Sequence, residues 1–529
     1  MPVLNRNVLD RHSQGKNVDA GLKDTRRRWV ALLLLGLLLQ AMAMVNSDLG
    51  LDAHIRLNAM ADESTESQTL AWGKLRLANS TEQQPGVPGT YSGYIPPWFT
   101  SEAAIKFTAF VSLIALAALA SLQPRWKGEE WSVQPMWAML ILYSPVMLFA
   151  TGRGYDEATL ALIVGAGASG FYFNNGDSTP HLRLHVVLLA TTLLALMGWK
   201  GFSMLPSLLV WLAVVMGGFL WIEVHRRLAV RVEVPWTQHP WLMGGVVGGL
   251  VFVGIFIVGF FRQSGTFSII GQSPLAFLMA SVFALLDTVV LYLLLGTALW
   301  PLVKQRWTML RDVRDPGLTL LVVYVCGVLG GLIAYIGALW TLESNLWGLG
   351  LPETMVRLGN NGRYATCLLI PIMLILKWVD PPQSPLASPP SGQLKLAAVL
   401  LPLMLFTTVI GHQIWSEDAG EALSEEWGQG DDAFLLIAPE AMAMHHLYII
   451  KTHVDLDGSL GIAGYWRDAE QAFTFLEQEA GGIDFVLIAP NIVLEMDEEH
   501  WVLVEQQDVP VHVPGGIQEG SWKLYRGVT

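Results

Sequence analysis

Asp48, Asp52, His54 and Arg56 crowd into the short stretch Asn-Ser-Asp-Leu-Gly-Leu-Asp-Ala-His-Ile-Arg, a density of ionisable groups that a plain connecting loop does not need. If this stretch is helical, Asp48, Asp52 and Arg56 fall at i, i+4 and i+8 on one face, so that two acids and a base share one space. A second polar cluster reads Thr151-Gly-Arg-Gly-Tyr-Asp-Glu-Ala-Thr159, where the glycines permit a tight reversal and set Arg153 beside Tyr155, Asp156 and Glu157. A third, Leu358-Gly-Asn-Asn-Gly-Arg-Tyr-Ala365, is prone to turn and carries Arg363 and Tyr364. Carboxylates with converging arginines can deprotonate a hydroxyl while a phosphate departs. Each cluster also has a plainer reading, since acids cap helices and arginine and tyrosine are common at membrane interfaces.

The elements that hold these clusters are membrane spans. The chain has 529 residues, 52% of them hydrophobic and only 15% charged, which excludes an ordinary soluble globular protein. Apolar runs occur at 29–46, 104–122, 133–150, 157–174, 184–199, 204–222, 241–261, 275–302, 317–341, 363–378 and 395–412. The expected fold is therefore a polytopic α-helical membrane protein of about eleven crossings. Arg26, Arg27 and Arg28 ahead of the first run place the tail 1–28 in the cytoplasm. That run reads as an anchor rather than a signal peptide, because it is long and starts late. Even-numbered connections carry Arg125 and Lys127, Arg183, Arg226, Arg227 and Arg231, then Lys304, Arg306, Arg311 and Arg314, and finally Lys377 and Lys395. Their bias puts the three polar clusters outside, together with the long loop 47–103.

Residues 413–529 have the composition of a water-soluble domain and lie outside by the same count. Phe434–Ala438 and Phe485–Ala489 read as buried strands, Asp468–Gln478 as an amphipathic helix, and 510–513 and 522–525 as further strands, giving a small α/β domain. The piece 380–392, rich in proline and serine, reads as a cytoplasmic linker. Cys326 and Cys367 lie in apolar runs and imply no disulfide. A net charge of −13 without a basic stripe argues against a nucleic-acid partner. Asp287, inside the eighth run, is either a functional acid or the acceptor of an interhelical hydrogen bond. His445, His446 and His453 lack the cysteine company of a structural zinc site, and Asn79-Ser80-Thr81 fits a glycosylation acceptor.

Taken together, the first crossing with its acid-bearing outer loop, the Gly-Arg-Gly-Tyr-Asp-Glu loop, the late Asn-Gly-Arg-Tyr and the terminal α/β domain resemble the GT-C membrane glycosyltransferases. That superfamily includes protein mannosyltransferases and aminoarabinose transferases that use polyprenyl-phosphate-linked sugars. The Trp-Trp-Asp type signature of oligosaccharyltransferases is absent. The resemblance implies transmembrane residues 29–412 with a GT-C-like arrangement, and transfer of a sugar, with inversion, to a protein, lipid or glycan acceptor outside the cytoplasm. It assigns the catalytic acid to Asp52 or Asp48, with Asp52 favoured as base because it lies beside His54 and one turn from Arg56. Arg363 and Tyr364, with Arg56 and His54, would hold the donor phosphate. Arg153, Tyr155, Asp156 and Glu157 would complete the pocket by holding the acceptor, the sugar or a divalent cation. No cofactor is implied with certainty, and a divalent cation is left open.

Two other classes compete with this reading. A lipid or solute transporter or flippase calls for paired charges deep within several spans, whereas the charges here gather at the outer lip. A non-catalytic anchor presenting the terminal domain leaves the polar loops unexplained.

Overall fold

The computed structural model describes residues 27–61, 94–122, 133–173, 178–233, 235–263, 266–346, 350–358, 361–379, 391–410, 414–431, 433–439, 443–456, 462–479, 482–490, 492–513 and 516–528. The tail 1–26, the linker at 380–390, Arg125, Lys127 and the Asn79 tripeptide lie outside them.

Among the described residues, each apolar run of the sequence is predominantly helical. Among the described residues, seven helices are long and apolar enough to cross a bilayer: Arg27–Asn46, Glu102–Ser121, Thr179–Trp199, Met204–Ala229, Pro240–Phe261, Pro274–Leu295 and Pro316–Asn345. The chain is thus a multi-pass membrane protein, but four of the expected eleven crossings depart from straight spans of that length and apolarity. The third is a pair, Pro135–Leu142 and Pro145–Gly152, bent by 57°. Ser144 and Pro145 explain the break, because Ser144 caps the second piece and proline at its start has no N–H to continue the first. The fourth is the short Glu157–Ala168, followed by a single turn at Gly170–Phe173. The tenth opens as a 3-10 segment, Asn361–Leu368, before Leu369–Trp378 becomes α-helical. The last is Ser391–Ile410, interrupted by Pro402, of which only Lys395–Phe406 counts as a short apolar helix.

The connections sort to two ends of the bundle. At one end, Lys377 is fully buried and its ammonium donates to the carbonyls of Ala120 and Leu122, while lying 4.9 Å from the Trp137 ring centroid. The Arg306 guanidinium lies 5.7 Å from the same ring centroid. This is the end that the charge bias assigns to the cytoplasm. Aliphatic stems pack here while the charged heads reach carbonyls and an aromatic face. The opposite end carries the three polar clusters and the terminal domain.

That domain is a five-stranded sheet in the order β2-β1-β3-β5-β4, with β1 Ala433–Ile437, β2 Ala463–Arg467, β3 Phe485–Ile488, β4 Trp501–Val513 and β5 Gly516–Gly527. The first three strands are parallel, and β5 and β4 join as an antiparallel hairpin. β1 and β3 read as unbroken apolar runs because both sheet faces are covered. Helices Trp415–Glu426 and Ala443–Val454 pack on one face and Ala469–Glu479 on the other. The first two of these helices, and β2, were not anticipated from the sequence.

Candidate active site

The helix Leu51–Ala61 is the pivot of the site. It starts after Asp48, so the expected single face holding residues 48, 52 and 56 does not form. The Gly50 N–H instead donates to the Arg153 carbonyl at 2.8 Å, which turns the chain before the helix begins. From the helix, Asp52 and Arg56 project one turn apart towards the bundle. Ala53 and Leu57 face an apolar cluster with Leu49, Phe99 and Ile105. Leu51 and Ile55 pack against the core of the terminal domain. His54 and Asn58, also one turn apart, face that domain as well.

Asp52 meets Arg363, more than three hundred positions away in the chain, at 3.1 Å between Oδ2 and Nη2. The same guanidinium donates through Nε to Glu157 at 2.6 Å. Arg363 and Glu157 are buried, whereas the Asp52 side chain retains 40% exposure at the edge of the cluster. The Arg363 guanidinium also lies 4.4 Å from the Tyr155 ring centroid and 4.8 Å from that of Tyr364. A guanidinium between carboxylates and aromatic faces is held in one orientation, which a flexible ammonium would not be.

Arg56 forms a two-pronged, buried ion pair with Asp156, and its guanidinium stands 5.6 Å from the Trp199 ring centroid. Lys200 approaches Asp156 too, with 3.6 Å between Nζ and Oδ2, an oxygen Arg56 also bonds, and reaches the Tyr364 ring at 4.7 Å. Asp156 therefore serves two cations, which leaves this trio with a positive charge in excess. Lys200 is the member that sequence reasoning missed. Its only signal was a lone lysine in Trp199-Lys200-Gly201, an odd-numbered connection where the charge bias leads one to expect none.

Two supports fix Arg363. Gly154 adopts a left-handed φ of +68°, closing the turn that delivers Tyr155, Asp156 and Glu157 together. Asp287, at the start of the π-helical stretch Leu286–Leu295, accepts the Gly362 N–H at 3.2 Å. Of the two roles open to Asp287, the structure displays a hydrogen bond that holds the backbone next to Arg363.

Of the remaining candidates, the Arg153 side chain touches the site through Tyr155, and Asp48 and His54 are engaged with residues after Gln413. The Asp48 carboxylate accepts the N–H of Ile414, and burial, with Glu417 and Asp418 nearby, pushes it up to about 6. Arg153 caps the helix that precedes it, stacks on Phe149 at 4.0 Å, and is pulled down to about 10 by burial. His54 lies on the far face of its helix, its ring bridging Glu417 and Thr452 of the terminal domain. His446 bonds Ser416 at 2.9 Å and His453 bonds Glu417. Among the described residues, no three His, Cys, Asp or Glu side chains converge in a manner that could hold a metal ion.

No family model and no curated protein matches this sequence. Among solved structures, the chain is similar to ArnT from Cupriavidus metallidurans, crystallised bound to undecaprenyl phosphate and in the apo state. Identity is 10% in both cases; the TM-scores are 0.31 and 0.32, over 88% of this chain and 93% and 94% of the two ArnT chains. Figures this low transfer no role to any residue.

Proposed function

We propose that the protein is a membrane glycosyltransferase of the GT-C type, moving a sugar from a polyprenyl-phosphate carrier to an acceptor hydroxyl or amine outside the cytoplasm. The observation that carries this reading is the meeting of Asp52, at the rim, with a fixed guanidinium at 3.1 Å, beside an ammonium that shares its carboxylate with another cation. In the proposed reaction the acceptor atom attacks the anomeric carbon while Asp52 takes its proton. The bond from that carbon to the phosphate oxygen breaks, and the lipid phosphate leaves with the electron pair. Lys200 and Arg363 stabilise the charge that develops on the departing phosphate, which is where fixed cations lower a barrier most. Attack opposite the leaving group inverts the anomeric centre.

Asp52 is preferred to Asp48 as base because it lies partly open next to the cations, while Asp48 is tied to the backbone of Ile414. Arg56 and Asp156 keep Lys200 in place, and Tyr155, Glu157 and Tyr364 orient Arg363. No step is routed through a divalent cation. The N-terminus is proposed to be cytoplasmic, and the terminal domain extracytoplasmic.

The test is incubation of the purified protein with a panel of polyprenyl-phosphate sugars, following release of free polyprenyl phosphate. Release that disappears in Asp52→Asn supports the reading. Lipid translocation in proteoliposomes without any release would replace the enzyme with a flippase.

A further inference from the structure

The contact between the loop helix and the terminal domain is far more polar than a simple packing surface requires. Glu417, on helix Trp415–Glu426, holds the His54 ring with one carboxylate oxygen and the His453 ring with the other, in each case at Nε2. The other nitrogen of His54, Nδ1, lies 3.1 Å from the Thr452 hydroxyl. Thr452 donates its single proton to the Tyr448 carbonyl at 3.0 Å and receives the Asn58 amide at 2.7 Å, so towards His54 it is an acceptor. Both nitrogens of His54 are thus engaged, one by Glu417 and one by Thr452. The result is a buried chain of charge-assisted bonds joining three helices across the domain boundary.

We propose that Glu417 is a positioning residue: by clasping His54 and His453 it clamps helix Leu51–Ala61 to the terminal domain and so holds Asp52 against Arg363. The inference rests on the reading of Asp52 as base for its catalytic consequence, but not for the clamp itself. Asp52 and His54 lie on opposite sides of one short helix, so a helix that loses its bond at His54 is held less firmly on the side away from Asp52, and the position of Asp52 is less sharply defined. A displacement of an ångström at a base is enough to slow a reaction severely.

The clamp depends on protons. Burial alone would raise Glu417, but the bonds from His453 and His54 overcome it and hold Glu417 down at about 2. His453 is raised by the same carboxylate in spite of its burial. A lowered acid stabilises the contact above its ordinary value of 4.5 and loses that effect as pH falls towards 2. A raised histidine stabilises it below its ordinary 6.5 and loses that effect as pH rises through the higher folded value. The clamp is therefore tightest between these two ordinary values and loosens on either side, as pH falls towards 2 and as it rises above 6.5. The other charged groups around it are Asp418 and Glu421 on the helix of Glu417, Lys451 beside Thr452, Glu102 with its partner Lys106, and Asp48.

Amide hydrogen exchange on the full-length protein, corrected for intrinsic rates, tests the clamp without any substrate. The expected result is protection of residues 51–61 that is highest near pH 5–6 and declines above that range. In Glu417→Gln, protection should fall at least about tenfold and become insensitive to pH, while helix Ala469–Glu479 on the far side of the sheet is unchanged. In the transfer assay the same variant should lose at least about tenfold in kcat with KM for the lipid donor unaltered. Equal protection of 51–61 in wild type and variant, or wild-type protection that ignores pH, overturns the proposal. So does an equal loss at 469–479, which would make Glu417 a folding residue of its domain. A protein that shows the exchange behaviour but transfers no sugar keeps the clamp and loses only the functional reading.

Discussion

Asp52 and Asp48 are the same residue type four positions apart, and their surroundings give them different work. Asp52 stands beside a guanidinium with part of its surface open; Asp48 is largely buried with its carboxylate on a backbone amide. Asp52→Asn should lower the rate of lipid phosphate release by about 10²–10⁴-fold with donor binding retained, and full activity would remove Asp52 from the mechanism. Asp48→Asn should leave most activity and act on stability instead. A carboxyl raised from 3.8 to about 6 favours the folded state when protonated, so its penalty is absent below the lower value and complete above the higher. The substitution should therefore raise the melting temperature at pH 8 and leave it unchanged near pH 4; a uniform shift would contradict the assignment. Glu157 is a third case, a buried carboxylate bonded to the buried Arg363 guanidinium. Glu157→Gln should destabilise the protein by about 1–3 kcal/mol, since it removes the buried one of the two carboxylates that hold the Arg363 guanidinium and leaves Asp52 as its remaining acid partner. Unfolding followed by tryptophan fluorescence in detergent would expose an unaffected midpoint.

At the scale of elements, a short helix and a 3-10 turn do the positioning. The loop helix presents its site residues, its apolar residues and its interdomain residues on separate sides, so its orientation is fixed from three directions. The segment Asn361–Leu368 holds Arg363 through a close approach that only glycine permits. A Cβ at position 362 would stand 2.5 Å from the Asp287 carboxylate oxygen and 2.4 Å from the Tyr292 ring. Gly362→Ala should accordingly cost about 1–3 kcal/mol and reduce turnover, because Arg363 must shift with its neighbour. Wild-type kinetics in that variant would show that the Asp287 contact does not set the position of Arg363. The sequence marked Asn-Gly-Arg-Tyr as a turn and Asp287 as an anomaly, but nothing in local spacing connects residues that lie on different helices.

For the whole molecule, the two ends of the bundle carry different chemistry, and the proposed orientation follows from that division. A membrane-impermeant thiol reagent should label Glu499→Cys, exposed in the terminal domain, in intact cells, and label Arg311→Cys only after permeabilisation, in a background where Cys326 and Cys367 are replaced. The reverse pattern would put the site in the cytoplasm and end the proposal of an extracytoplasmic acceptor. The multi-pass helical character and the terminal α/β domain were legible in the sequence, because hydrophobicity and turn chemistry act locally and leave a pattern in composition, whereas the number of crossings was not, since among the described residues only seven of the expected eleven are long apolar helices. The bend at Ser144–Pro145 was legible in principle from the proline, and the short fourth helix was not. Which polar groups would pair depended on folding at a distance. Asp52 with Arg363, Asp156 with both Arg56 and Lys200, and His54 with Glu417 are contacts between residues 44 to 363 positions apart. Sequence spacing on one helix does not encode them. Only the packed bundle, by excluding water from that end and leaving each buried charge in need of a partner, decided that His54 would face the terminal domain and that Lys200 would join the site.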